Sequence, residues 1–291
     1  MHQFSAHQKS IVVSVVDALK PISGVQAIVL GGSYARGRAR SDSDIDIGVF
    51  YSPGSAFSIS ELRAIASQLN DSPDPVVAGL GEWGRWVDGG AWLTIEGQRV
   101  DLLYRSIEKV THTLEEANFG RFEIDFEQQP PFGFFGPTLL GELEIALPLH
   151  DPHSIVSSLK AKVSPMPDAL AHAVVQSRLW SVEFGLAAFA PKFAAKADVY
   201  GMAGCLTRFA NALVLALFAL NRRYLVNDKT AIAEISEFAI VPPNFETRLV
   251  EILADIGASV EALNSRIGAM RDLFTEVRVL AGDLYTPTWR V

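Results

Sequence analysis

Within Ala6–Lys20, apolar residues fall at Ile11, Val12, Val15, Val16 and Leu19. That spacing lines one face of a helix, which Pro21 ends. Val25 to Leu30 is a compact apolar run bounded by turn residues, the pattern of a buried strand. Gly31-Gly32-Ser33 interrupts it, and a second strand follows in which Asp44 and Asp46 alternate with Ile45, Ile47 and Val49 before Ser52-Pro53-Gly54-Ser55 closes it. Ile59–Leu69 reads as a helix capped by Ser60, and Asn70–Pro75 as a loop. Gly81–Gly90, with two tryptophans and four glycines, has no regular period. Strands at Ala91–Ile95 and Arg99–Tyr104, joined by Glu96-Gly97-Gln98, form a hairpin, and a helix spans Ile107–Ala117. Past the Pro/Gly/Phe-rich bend Pro130–Pro137 the period is helical: 138–146, 153–163, 167–188, 199–226, 229–238 and 244–282. The pattern predicts an α+β chain, with an α/β domain at 1–130 and an all-helical bundle at 131–291.

Composition narrows the classes. A chain of 291 residues has room for one large or two ordinary domains with proper cores, and 49% apolar against 20% charged residues excludes a disordered chain. A net charge of −8 argues against a general nucleic-acid surface, which needs clustered Lys and Arg. Cys205 is the one cysteine, so neither an internal disulfide nor a cysteine zinc site can form; its setting reads as helix core. The six histidines, His2 among them, show no zinc spacing, and His150-Asp151-Pro152-His153 reads as a loop. The polar N-terminus lacks the pattern of a signal peptide, and the most apolar window, Ala212–Leu220, is nine residues, too short to span a bilayer. The expectation is a cytoplasmic protein with no membrane partner.

The candidate chemistry lies between Val25 and Tyr51. Asp44 and Asp46, two apart on a strand, point to one face, and carboxylates held that close repel unless a cation sits between them. All-oxygen ligation of this kind suits Mg²⁺, which binds through one or two carboxylates plus phosphates. Gly31 and Gly32 allow a sharp turn and a close approach by a ligand, and Ser33 suits the N-cap of a following helix, where free N–H groups favour an anion. Asp101, set in the apolar arm RVDLLYR, needs a partner: either a metal ion or a salt bridge to Arg99 or Arg105. Glu82 and Glu96 are the next carboxylates in line for its place.

Gly32-Ser33, ten residues, then Asp44-Ile45-Asp46 resembles the signature of the nucleotidyltransferases related to DNA polymerase beta. The wording GGSYARGRARSDSDIDI is most similar to their small-molecule (aminoglycoside-type) and minimal branches. The resemblance, close over roughly the first 110 residues, implies a mixed sheet with flanking helices followed by a helical domain. It also implies transfer of a nucleoside monophosphate from a triphosphate, ATP first among them, to a hydroxyl of a small molecule or protein, with pyrophosphate released. Asp44, Asp46 and Asp101 would then be both catalytic and Mg²⁺-binding. Gly31, Gly32, Ser33 and Arg36, the last in the family's Ala-Arg-Gly, would hold the nucleotide. The stretches TLLGELEIALPLHDP and NRRYLVNDK resemble the helical domain that accompanies some members, which places Tyr224 and Lys229 among the nucleotide-binding candidates. A nucleotide-binding regulatory or antitoxin-like protein with little turnover is the alternative; nucleic acid is disfavoured as a partner by the charge.

Overall fold

The computed structural model describes residues 4–289; His2 and the rest of the two termini lie outside the described residues. Helix α1 (Ala6–Leu19) starts with a capping box between Ser5 and Gln8 and buries Ile11, Val12, Val15 and Leu19. The following elements are β1 (Val25–Leu30), the four-residue α2 (Gly32–Ala35), β2 (Ile45–Tyr51), α3 (Ile59–Leu69), β3 (Val76–Val77), β4 (Gly90–Ile95), β5 (Gln98–Ser106) and α4 (Ile107–Asn118). Then come β6 (Ile124–Asp125), β7 (Phe134–Phe135), α5 (Thr138–Ile145), β8 (Leu147–His150) and α6 (Ile155–Val163). Six strands make one mixed sheet in the order β3-β4-β5-β2-β1-β8; β2 and β5 run parallel and the other neighbours antiparallel. The α+β class and the mixed sheet that the resemblance implied are therefore what the chain adopts.

Alternation divides the sheet's side chains between two faces. Ile45, Ile47 and Val49 of β2 with Val100, Leu102 and Tyr104 of β5 point to one, where they meet Ile11 and Leu19 of α1 and Leu62 of α3 in the core. The other face carries Asp46 and Gly48 of β2, Asp101, Leu103 and Arg105 of β5, and Gly90 and Trp92 of β4. A cluster of Trp86, Val87, Phe134 and Leu139, with Trp83 packed against it, forms a separate small core.

Several local expectations give way to tertiary detail. Ser58, not Ser60, caps α3 by accepting from the Glu61 N–H. The hairpin loop is two residues, Glu96 and Gly97, both at positive φ (51° and 78°), so Gln98 joins the strand and pairs with Ile95. Gly31 is the N-cap of α2, and Ser33 lies inside the helix. Asp44 lies one residue before β2 instead of within it. The pattern assigns no element to 147–149, because four residues with Pro148 carry no period; pairing with β1 makes Leu147–His150 the strand β8.

Contacts divide the chain into two units: residues 1–115 with 124–164, and residues 116–123 with 165–291. The line drawn at 130/131 thus moves, since β8 belongs to the sheet and Glu142 of α5 pairs with Arg105 of β5. The second unit is helical: α7 (Asp168–Ala188), α8 (Ala190–Ala194), α9 (Val199–Leu220), α10 (Ala231–Ile235), α11 (Phe245–Ala254) and α12 (Val260–Ala281). The predicted helix over 244–282 is two, broken at Asp255–Ser259, with Ser259 capping α12. Helix α9 stops at Leu220. By length and composition it could cross a membrane, but 67% of its apolar stretch is buried inside the structure, which makes it a core helix of the bundle.

Candidate active site

The turn between β1 and α2 is fastened to β2. The Gly31 N–H donates to the Asp46 carbonyl at 2.8 Å. Gly32 has φ +56°, and a Cβ there would stand 1.7 Å from Asp46 Oδ2, so only glycine lets the carboxylate and the turn lie this close. Tyr34 of α2 stacks on Phe4 with ring centroids 4.4 Å apart, and Gln8 of α1 donates to its hydroxyl at 2.6 Å. These contacts hold the short helix against the body of the unit.

Asp46 and Asp101 are register partners across the parallel β2–β5 pair, which puts both carboxylates side by side on one face. Extending the register past Ile45↔Val100 brings Asp44 opposite Arg99, and these two form an ion pair. Asp44 Oδ1, a buried atom, therefore meets the Arg99 guanidinium as an ion pair, without a hydrogen bond. Arg99 Nη2 also donates to the Asp42 carbonyl and Gln98 Nε2 to the Ser43 carbonyl, each at 3.1 Å, which pins the segment entering β2 to the start of β5. Burial above all, then the charges of Asp101, Asp44 and Glu142, push the Asp46 carboxyl up from 3.8 to about 7; Arg105 pulls it the other way.

Arg105 and Glu142 complete the surroundings of this face. The Arg105 side chain is 8% exposed and forms a two-pronged ion pair with Glu142: Nε to Oε2 at 2.7 Å and Nη2 to Oε1 at 3.0 Å. Burial opposes the Arg105 charge, but Glu142, Asp88 and Asp46 outweigh it and push its pKa up. Arg99 pairs with Asp44, and Arg105 pairs with Glu142. Sequence reading placed Arg105 only as a partner for Asp101 and passed over Glu142. The period of β5 puts Arg105 on the face of Asp101, but nothing in TLLGELEIAL marks Glu142.

The other candidates are placed as follows. Gly31, Gly32, Ser33, Asp44, Asp46 and Asp101 lie together in the first unit, and Arg36 is the C-cap of α2, partly buried. Tyr224 is 4% exposed in the second unit. Lys229 is exposed there, its N–H donating to the Asn227 side chain, which caps the turn. Glu82 accepts from the Gly79 N–H, and Glu96 sits in the hairpin turn beside His7, so each carboxylate has a local role. Asp151 Oδ1 and Oδ2 accept from the Ile155 and Ser157 N–H groups at 2.8 and 2.9 Å, as a cap for α6. Cys205, half-buried in α9, has its thiol pKa raised by burial.

Comparison with known proteins adds the family. Residues 12–121 match the model described as "Nucleotidyltransferase domain", and residues 143–229 match a "Domain of unknown function (DUF4037)". No curated protein matches the chain. A solved nucleotidyltransferase-like protein from Exiguobacterium sibiricum is 7% identical at a TM-score of 0.45, covering 96% of this chain and 78% of that one; a likeness that distant carries no argument. The first match spans the turn, the carboxylates and five of the six strands of the sheet described above. Residues 12–121 match a nucleotidyltransferase domain, which gives the chain a domain of the transferase type.

Proposed function

We propose that this chain transfers a nucleoside monophosphate from a nucleoside triphosphate, ATP first among them, to an acceptor hydroxyl, with Mg²⁺ bound at Asp44, Asp46 and Asp101. The observation that carries the reading is the juxtaposition of Asp46 and Asp101 in register beside a turn that only glycine can make. Among the described residues no three His, Cys, Asp or Glu side chains form a ready-made metal cage. Mg²⁺ does not need one, since it takes one or two carboxylates and completes its shell with phosphate and water. The donor set suits it. Asp46 is crowded by like charges, Asp101 and Asp44 among them. When bound, the ion neutralises charge that develops on the phosphates.

The chain's own groups supply the rest. Gly31 fastens the turn to β2 through its N–H, and Gly32 presents backbone to the β- and γ-phosphates, with the Ser33 hydroxyl as a further donor and Arg36 at the end of the same short helix. Asp101 accepts the proton of the attacking hydroxyl, whose oxygen forms a bond to the α-phosphorus. The bond from that phosphorus to the bridging oxygen breaks, and its electron pair leaves with pyrophosphate.

Calorimetry of ATP binding with and without Mg²⁺, paired with pyrophosphate release by Asp101→Ala, tests the reading. Metal-dependent binding that survives Asp101→Ala, with turnover lowered by orders of magnitude, is the expected result for a group acting in the transition state. Normal turnover by that variant would remove Asp101 from the mechanism.

A further inference from the structure

The row of side chains across the carboxylate face continues past Asp101. Trp92 of β4 is the register partner of Asp101, so its indole projects from the same face, on the side of Asp101 away from Asp46. Its strand neighbours Ala91 and Leu93 are buried at 0% and 3% exposure, while Trp92 is 53% exposed. It is held nonetheless. Trp83 stacks on it with centroids 5.0 Å apart and planes 28° from parallel. Trp83 in turn lies over Gly90, where a Cβ would stand 2.8 Å from its ring, and packs on the Trp86–Phe134 core. The irregular tryptophan and glycine segment thus has a use: it holds an indole pair beside the carboxylates with Trp92 half open to solvent.

We propose that Trp92 is the platform for the acceptor, and that the acceptor hydroxyl belongs to a molecule with a flat-faced ring. This rests on the transfer reading above. Four features stand on successive strands: the Gly31 turn after β1, Asp46 on β2, Asp101 on β5 and Trp92 on β4. At about 4.8 Å per strand the row is roughly 14 Å long. Displacement at the α-phosphorus puts the attacking oxygen and the leaving pyrophosphate roughly in line on opposite sides. With the pyrophosphate at the glycine turn, the attacking hydroxyl lies on the Asp101 side, and the molecule that carries it extends onto Trp92. Saccharide and aromatic rings share the apolar face that an indole accepts. A ringless polyol does not.

Three probes separate these chemistries: methyl α-glucoside, tyramine and glycerol, each added to the protein with Mg²⁺ and ATP while pyrophosphate release and indole fluorescence are followed. At least one ring-bearing probe is expected to stimulate release and quench fluorescence saturably where glycerol does neither. The saccharide and phenol arms show which kind of ring is preferred. In Trp92→Ala the half-saturating concentration of that probe should rise roughly tenfold, in keeping with the stacking energy of one ring. The value for ATP should not move, and Trp92→Phe should restore most of the probe's affinity. The proposal is overturned if neither ring-bearing probe outdoes glycerol, if Trp92→Ala leaves the probe's half-saturation unchanged, or if it weakens ATP instead, which would make Trp92 a nucleobase platform. Loss of metal-dependent ATP binding in the unsubstituted protein would sink the transfer reading itself, and the calorimetry above detects that separately.

Discussion

Replacing Asp46 by Asn probes the crowding of carboxylates directly. The Asp46 carboxyl is pushed from 3.8 to about 7, by burial first and then by Asp101, Asp44 and Glu142. The unfolded chain releases this proton near pH 4, while the folded protein holds it to about pH 7, so stability from this group is full below pH 4, falls between pH 4 and 7, and is level above pH 8. At 1.36 kcal/mol per pKa unit, the part lost between pH 4.5 and 8 has a ceiling of about 3 kcal/mol, and water at the partly exposed carboxylate lowers it. Asn has no proton to lose. The stability difference between Asp46→Asn and the unsubstituted chain should therefore shift in favour of Asn by at least about 1 kcal/mol as pH rises over that range. Other titrating groups largely cancel in the difference. Urea unfolding followed by tryptophan fluorescence suits the measurement, with Trp180 and Trp289 of the second unit replaced by Phe in both proteins so that Trp83, Trp86 and Trp92 report. Added Mg²⁺ should narrow the gap at pH 8 by stabilising the Asp protein alone. A difference that does not change with pH, or that turns against Asn on going to pH 8, would show that Asp46 ionises at its ordinary pH, and the argument from repulsion would fail.

Gly32→Ala should abolish metal-dependent ATP binding in calorimetry, because its Cβ would meet Asp46 Oδ2 at 1.7 Å and φ is +56°; unchanged affinity would mean the turn does not hold the phosphates. Glu142→Gln should lower the stability of the first unit by several kcal/mol in urea unfolding, since it leaves the buried Arg105 guanidinium without its anion; the double change Arg105→Met with Glu142→Leu should cost less than either single change. Glu183→Ala should cost about 1–3 kcal/mol and speed proteolysis of the C-terminal segment. That fully buried carboxylate accepts from the Tyr285 hydroxyl at 2.7 Å and from the Thr288 and Trp289 N–H groups at 2.9 and 3.1 Å.

Local pattern determined a good deal of this protein. The period of α1, the apolar run of β1 and the alternation around Asp46 depend on side chains a few residues apart, and such regularities survive in the sequence. The glycine turn and the spacing to Asp44-Ile45-Asp46 were legible for the same reason, and they lie within the stretch that matches a nucleotidyltransferase domain. Asp101 was legible as an acid in an apolar strand, but its place beside Asp46 comes from the parallel pairing of β2 and β5, and no spacing along the chain encodes that.

The tertiary structure decided what joins distant segments. Two-residue β3 and four-residue β8 are strands because the sheet offers them partners, so a period could not reveal them, and the line between the two units moved with β8. Glu142 is one acid among several in helix α5, and only the fold sets it on Arg105. Trp92 had the composition of an ordinary strand residue; register with Asp101 and the stack on Trp83 are what place an indole at the end of the carboxylate row. A strand reports which of two faces each residue takes, whereas which residues share a face across strands is fixed by pairing, and pairing is a property of the whole sheet.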